Sequence, residues 1–138
     1  NIMLLGSLEK QGLLDFQDAL SGHRAYDLVS LLQDARLDVS EELEGEMFAR
    51  YVKAASVDRV IFLTDYARLG AQRNAKIVGI FVRLWKRDGK PRYLKMIPRV
   101  WAQLERDLSH PALEPVARWF DQYMPDALRD AGGGAFDA

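Results

Sequence analysis

The pattern of apolar and polar residues divides the chain into a short two-stranded beginning and a long helical remainder. Two apolar runs, at residues 2–5 and 13–14, flank a polar connection that has Gly6 and Gly12 at its sides. This arrangement predicts a β-hairpin. From residue 25 onward, apolar residues recur at intervals of three and four, which is typical of helices packed on a core. We therefore expect a single domain over residues 1–138 that is mainly α, with a short N-terminal β-hairpin.

Residues 25–35 form the first predicted helix, because Leu28, Leu31, Leu32 and Ala35 share one helical face. Ser40 is expected to cap a second helix that runs to about residue 55, and three glutamates crowd its first turn.

The stretch from residue 57 to residue 87 predicts either one kinked helix or two helices in sequence. Gly70 indicates a break or a close approach, and Gly79 indicates a neighbour that packs closely. The apolar residues from 77 to 85 are expected to form the centre of the core. Further helices are expected at residues 92–108, kinked or divided at Pro98, and at residues 112–123.

Composition excludes several classes of function. The chain has 138 residues, of which 49% are hydrophobic and 28% charged, and its formal net charge is −1. It has no basic excess, so we expect neither nucleic acid nor an anionic membrane as a partner. No apolar run approaches the ~20 residues that span a bilayer. Cys is absent, which excludes disulfides and thiolate metal sites and is consistent with the cytoplasm, where we expect the protein.

The predicted hairpin carries two candidate metal ligands. It places Asn1 at the outer end of the first strand and Asp15 at the end of the second. One amide oxygen and one carboxylate at the same end of a small sheet suit Mg²⁺, which takes one or two protein oxygens and leaves its other positions to water and phosphate.

Three segments carry a resemblance to a known family: Asn-Ile-Met-Leu-Leu at residues 1–5, Leu-Leu-Asp-Phe-Gln-Asp-Ala-Leu-Ser-Gly at 13–22, and Ala-Tyr-Asp-Leu-Val-Ser-Leu-Leu at 25–32. They resemble the aminoglycoside phosphotransferase-like kinases. The resemblance implies ATP and Mg²⁺ as cofactors, with Asn1 as the last residue of a catalytic loop H-x-D-x-x-x-x-N and Asp15 as the metal-binding Asp. The catalytic Asp is then expected upstream of Asn1. The chain would be the helical C-terminal, acceptor-binding lobe of a protein-kinase-like fold, inactive without the nucleotide-binding lobe.

Other polar residues have two interpretations each. Asp27 suits the positive end of the first helix, and the resemblance makes it a structural support of the catalytic loop. Asp18, Asp34, Arg36 and Arg83 are candidate substrate-binding residues. Their alternatives are a turn carboxylate for Asp18, a solvated helix end for Asp34 and Arg36, and a complement to a helix C-terminus for Arg83.

Residues 76–84 and 87–90 extend the resemblance to one branch, the bacterial sugar kinases that phosphorylate N-acetylmuramate and N-acetylglucosamine at the anomeric hydroxyl. An amino sugar is therefore the expected small-molecule acceptor. Related kinases act on aminoglycosides, choline or homoserine, so these acceptors stay open. Two further hypotheses are a pseudokinase that binds without catalysis and a helical interaction domain in which Asp15 is a turn residue.

Overall fold

The computed structural model describes residues 2–7, 9–15, 17 and 19–125. Their order is a β-hairpin followed by helices, as the sequence predicts. The strands are β1 (Ile2–Ser7) and β2 (Lys10–Leu13), and the α-helices are α1 (Ala25–Leu32), α2 (Glu41–Ala55), α3 (Arg59–Asp88), α4 (Ile97–Leu108) and α5 (Glu114–Tyr123). Two 3₁₀ helices, Pro91–Met96 and Pro111–Leu113, precede α4 and α5.

The hairpin is antiparallel, and Ile2 pairs with Leu13 at its open end. The register shifts between Leu4 and Ser7, which is a bulge in the longer strand. Gly6 lies in this bulge with a φ of 84°, a conformation that only glycine adopts without strain. Strand β2 ends at Leu13, so Asp15 lies two residues past the strand end and not at the end of the strand, where the sequence predicts it.

Local signals fix the ends of the long helices. The Ser40 side chain accepts a hydrogen bond from the Leu43 amide, which confirms the predicted cap of α2. Asp58 caps α3 in the same way through the Ile61 amide. Gly89, at a φ of 61°, ends α3 in the left-handed conformation that glycine favours at helix ends.

Helix α3 is one continuous helix of 30 residues. Gly70 marks a close approach and not a break, because a Cβ there would lie 2.5 Å from an oxygen of Asp107. The prediction for Gly79 is wrong, since no atom lies within 4 Å of its Cβ position and the residue is exposed. The core prediction for residues 77–85 is also wrong in part, because only Phe81 of this stretch is buried.

The sequence leaves open whether Pro98 kinks or divides the helix predicted at residues 92–108, and the structure shows a division. Residues 92–108 are divided just before Pro98, which lies in the first turn of α4, where its missing N–H costs no helical hydrogen bond.

Helix α1 ends at Leu32, three residues earlier than predicted. His110 caps the 3₁₀ helix before α5, because its Nδ1 accepts a hydrogen bond from the Ala112 amide.

The core consists of three adjoining clusters along α3. Helices α1, α2 and the first part of α3 meet around Val29, Phe48 and Phe62. The middle of α3 packs on α4 around Trp101 and Leu104. The third cluster has four buried members: Ala35, Phe81, Ile97 and Val100. No α-helix among the described residues has the length and apolar content needed to cross a membrane.

Candidate functional site

Asp15 is an exposed carboxylate with an uncommon backbone conformation. Its φ is 62°, in the left-handed region that Asp tolerates better than most side chains but still at a cost of about 1 kcal/mol. The Gln17 side chain donates a hydrogen bond of 2.7 Å from Nε2 to Asp15 Oδ1. An exposed carboxylate of this kind is the type of oxygen ligand that a hard cation such as Mg²⁺ takes.

The predicted metal pair is only half described. Asn1 and Asp18 lie outside the described residues, so the convergence of Asn1 and Asp15 stays a prediction. Within the described part of the chain, no group of three or more acidic or histidine side chains has the arrangement of a metal site. A single carboxylate with one amide oxygen fits Mg²⁺, which keeps most of its shell as water and phosphate.

The start of α1 is tied to α3 through His23. His23 Nδ1 accepts a hydrogen bond from the Ala25 amide at 3.2 Å, and Nε2 lies 3.4 Å from Asp65 Oδ2. The His23 ring also packs beside Phe62, with the centroids 6.1 Å apart. Asp27 lies exposed in the first turn of α1, near this anchor. Its predicted role as a support for a catalytic loop stays a prediction, because no contact of a described residue tests it.

Asp34 and Arg36 come together at the end of α1, as the sequence suggested. Asp34 Oδ1 accepts a hydrogen bond of 2.7 Å from the Arg36 amide, and the Arg36 Nε lies 3.7 Å from the same oxygen. Both line a pocket of about 520 Å³ between the end of α1, the middle of α3 and the 3₁₀ helix before α4. Arg83 is exposed on α3 outside this pocket. The arginine pocket, as we name it, is lined by Asp34, Ala35, Arg36, Arg73, Ile77, Phe81, Arg92, Tyr93 and Met96.

Two arginines from other helices hold the segment that carries Asp34 and Arg36. Arg73 on α3 donates from Nη1 to the Gln33 carbonyl at 3.0 Å and lies 3.4 Å through Nη2 from the Ser30 carbonyl. Arg99 on α4 donates from Nη1 to the Ala35 carbonyl at 3.0 Å. These cations satisfy carbonyls that the end of α1 leaves without helical partners. The wall of the arginine pocket is therefore fixed by charge-assisted hydrogen bonds.

A buried polar network lies below this segment and joins four helices. Gln33 Nε2 donates to both Glu44 Oε1 and Asp107 Oδ1 at 3.0 Å. Asn74 Nδ2 donates to Gln33 Oε1 at 2.6 Å and to Asp107 Oδ2 at 3.0 Å. Tyr66 donates its hydroxyl to Glu44 Oε1 at 2.7 Å. The members of the buried polar network are Gln33, Glu44, Tyr66, Asn74, Arg106 and Asp107, with Arg106 paired to Glu44 Oε2.

Burial dominates the electrostatics of this network. It raises the pKa of Asp107 to about 7, against the opposing effect of the hydrogen bonds from Gln33 and Asn74. Burial also raises the pKa of Tyr66 far above its ordinary value, and the hydrogen bond to Glu44 adds to this shift. Asp107 therefore titrates close to neutral pH although it accepts two hydrogen bonds.

A second cavity of about 480 Å³ lies between α2, α3 and α4, and Glu44, Tyr66 and Asp107 form part of its wall. These groups already bond one another, and among the described residues the only buried side-chain atom without a partner is Gln103 Oε1, outside this cavity. The arginine pocket is the better ligand candidate, because three guanidinium groups line it against one carboxylate.

Arg73, Arg92 and Tyr93 of the arginine pocket are not among the site residues that the sequence predicts. They come from two elements that are far from Asp34 in the chain, so spacing gave no signal. One member of the buried polar network, Asn74, could have been recognised from the sequence. Asn74 falls on the helical stripe of Phe62, Tyr66, Gly70 and Ala71, where a polar side chain must find a buried partner.

Comparison with known proteins identifies the family to which the chain is similar. Residues 1–71 match the model of a phosphotransferase enzyme family. The chain is 50% identical over 119 residues to the N-acetylmuramate/N-acetylglucosamine kinase of Caulobacter vibrioides, which covers 86% of this chain and 33% of that protein. It is 42% identical over 113 residues to the protein of the same name from Neisseria meningitidis, covering 77% of this chain and 33% of the relative. For the Pseudomonas aeruginosa protein of that name, identity is 40% over 112 residues, covering 76% of this chain and 32% of the relative. The chain thus spans about a third of the length of the curated relatives it matches.

Proposed function

Because the chain belongs to the phosphotransferase enzyme family, we propose that the protein is an ATP- and Mg²⁺-dependent kinase of a small-molecule hydroxyl. The acceptor we propose is an amino sugar, N-acetylmuramate or N-acetylglucosamine. The observation that carries the proposal is Asp15, an exposed carboxylate just beyond the hairpin, inside the stretch that the family model matches. The relatives named as kinases of these two sugars support the choice of acceptor.

Phosphoryl transfer needs positioned reactants and stabilised charge more than covalent chemistry from the protein. Asp15, with Asn1, would hold Mg²⁺, which neutralises charge on the phosphate oxygens of ATP when it is bound. The strained backbone of Asp15 and the hydrogen bond from Gln17 fix the carboxylate before the cation arrives. Proton removal from the acceptor hydroxyl is assigned to an Asp upstream of Asn1, and Asp27 to the support of that loop.

The helical body would bind the acceptor. Asp34 and Arg36 are the predicted substrate residues that the structure brings together, and we propose that they contact a polar group of the acceptor. Asp18 and Arg83 stay predictions, the first outside the described residues and the second outside the arginine pocket. The same proposal places the protein in the cytoplasm, the compartment that supplies ATP.

The test is an assay of the complete protein with ATP, Mg²⁺ and a panel of acceptors. We expect transfer to N-acetylmuramate and N-acetylglucosamine, with the phosphate on the anomeric hydroxyl detected by phosphorus NMR. Transfer only to an aminoglycoside, choline or homoserine would keep the kinase and replace the acceptor. Binding of ATP without transfer to any acceptor would overturn the proposal in favour of a pseudokinase.

A further inference from the structure

The arginine pocket carries an excess of positive charge. Three guanidinium groups, from Arg36, Arg73 and Arg92, line it against the single carboxylate of Asp34, so two positive charges are in excess. The three arginines come from three stretches of the chain that meet only in the folded protein: the segment after α1, helix α3 and the 3₁₀ helix before α4. Convergence of like charges costs free energy unless an anion compensates it, and this is the first indication of a ligand.

Arg73 is fixed in the wall before any ligand binds. Its Nη1 and Nη2 atoms contact the carbonyls of Gln33 and Ser30, and the side chain is half-buried. Burial lowers the pKa of Arg73, and the nearby charge of Arg36 adds to that effect, against the charge of Asp34. A guanidinium has five N–H donors, and the contacts to described residues use only Nη1 and Nη2. Arg73 therefore offers an ordered cation with donor capacity left.

The other two arginines are more loosely held at the rim. The Arg36 Nε lies 3.7 Å from Asp34 Oδ1, an exposed pair of the kind that contributes ~0–1 kcal/mol. Arg92 Nη2 lies 3.4 Å from the Tyr93 hydroxyl. The hydrogen bond and charge of Arg92 lower the pKa of Tyr93, and the charges of Lys90 and Arg36 act in the same direction. The Tyr93 hydroxyl thus lies in contact with Arg92, in surroundings of positive charge.

Part of the pocket wall is apolar and aromatic. Phe81 is buried, and its ring centroid lies 5.3 Å from that of Tyr93. Ile77 and Met96 complete this wall. A volume of about 520 Å³ lies within the range of small-molecule sites. An apolar wall beside a cationic rim fits a ligand that has a compact body and one anionic group, because arginine binds carboxylate and phosphate oxygens in a bidentate manner.

We propose that the arginine pocket binds the oxyanion of a small acidic ligand, a carboxylate or a phosphate on a sugar-sized body, between Arg36, Arg73 and Arg92. The body of the ligand lies against Phe81 and Tyr93. The oxyanion could come from either of two ligands. One is the lactyl carboxylate of N-acetylmuramate, an assignment that rests on the proposed function. The other is the phosphate of a sugar phosphate, an assignment that does not depend on it. The proposal that this site binds an oxyanion is argued only from the residues of the arginine pocket.

The experiment measures binding to the complete protein by calorimetry, so it needs no turnover. The probes are N-acetylmuramate, its neutral counterpart N-acetylglucosamine, and glucosamine 1-phosphate. The variants are Arg36→Gln and Arg92→Gln, which leave the buried contacts of Arg73 in place. The matched control is Arg50→Gln, an exposed arginine on α2 outside the pocket. Circular dichroism checks that each variant keeps its helical content.

We expect Arg92→Gln and Arg36→Gln to weaken binding of an acidic probe by about 10-fold or more, since a lost charge-assisted hydrogen bond has an effect of this size. Binding of N-acetylglucosamine should not change, and Arg50→Gln should match the unmodified protein. Selective loss for N-acetylmuramate identifies the acceptor's carboxylate as the oxyanion, and selective loss for glucosamine 1-phosphate identifies a phosphate.

Three outcomes would overturn the proposal: no acidic probe binds, both pocket variants bind acidic probes as the Arg50→Gln control does, or the neutral sugar loses as much affinity as the acidic ones. Failure of the proposed function looks different. In that case no sugar is phosphorylated by the unmodified protein, whatever the binding data for the acidic probes show.

Discussion

Gly70 of α3 and Asp107 of α4 lie in direct contact, with no room for a side chain between them. A Cβ at position 70 would lie 2.5 Å from Asp107 Oδ2 and 2.9 Å from Oδ1. Asp107 cannot move aside, because Gln33 and Asn74 each donate a hydrogen bond to one of its oxygens. The glycine therefore sets how closely α3 approaches the buried polar network.

Replacing Gly70 should test this contact directly. Helix propensity alone favours alanine by ~1 kcal/mol at an interior position. We nevertheless expect Gly70→Ala to lower the free energy of unfolding by about 1–3 kcal/mol, because overpacking displaces a bonded carboxylate. Urea unfolding followed by circular dichroism measures the difference.

Gly79→Ala is the matched control on the same helix. Gly79 is exposed, and no atom lies within 4 Å of its Cβ position. We expect this variant to be as stable as the unmodified protein or up to about 1 kcal/mol more stable. If both alanine variants were stabilised equally, the close approach of Gly70 to Asp107 would be wrong.

The second prediction concerns the pH dependence of stability. Burial raises the pKa of Asp107 to about 7 from its usual value of 3.8. The folded state therefore holds a proton that the unfolded state has released between these two values, and stability falls as pH rises through this window. The contribution is fully present below pH 3.8 and lost above about pH 7. Each pH unit between the two pKa values changes the free energy by about 1.4 kcal/mol.

Asp107→Asn isolates this contribution from other titrating groups. The amide keeps one acceptor oxygen, but its N–H₂ group would face a second donor, the side-chain amide of Gln33 or of Asn74. We therefore expect the variant to be less stable than the unmodified protein at pH 5. The difference from the unmodified protein should narrow by pH 8, where the unmodified carboxyl has ionised. Thermal unfolding at a series of pH values measures this difference, and a constant gap would show that Asp107 does not titrate in the window.

A third prediction tests the hydrogen bond of Tyr66 inside the buried polar network. Tyr66→Phe removes the donor that lies 2.7 Å from Glu44 Oε1, while Gln33 and Arg106 still bond Glu44. We expect a loss of about 1–2 kcal/mol, the range for a hydrogen bond to a charged acceptor that keeps other partners. Tyr51→Phe is the control, since the Tyr51 ring stacks on Phe62 and no hydrogen bond of its hydroxyl to a described residue is seen. A loss of the same size in both variants would assign the effect to packing.

Features determined by nearby residues were predictable from the sequence. The cap at Ser40, the stop at Gly89 and the hairpin between residues 2 and 13 each depend on a few neighbouring positions. The same local information could not separate a break from a close approach at Gly70, because the deciding partner, Asp107, is 37 positions away in the chain. For the same reason the apolar residues 77–85 were assigned to the core, although most of them are only half-buried in the fold.

The residues of the candidate site also fall into those that the sequence predicts and those that only the packing brings together. Asp15, Asp34 and Arg36 could be named from motif and helix-end position. Arg73 and Arg92 could not, since they reach the arginine pocket only through the packing of α3 and the segment before α4 on the end of α1. An arginine that satisfies helix-end carbonyls, as Arg73 does, has no sequence signature of its own.

The last prediction concerns Asp15 in the proposed kinase. In the complete protein, Asp15→Asn should lower turnover by about 100-fold or more, because a neutral amide holds Mg²⁺ more weakly and less charge is stabilised during transfer. The Mg²⁺ concentration for half-maximal activity should rise, while the helical content and melting temperature stay unchanged, since Asp15 is exposed beyond the helical core. Glu9→Gln, an exposed carboxylate in the turn of the same hairpin, is the control and should keep full activity. Normal turnover and unchanged Mg²⁺ dependence of Asp15→Asn would contradict its assignment as a metal ligand.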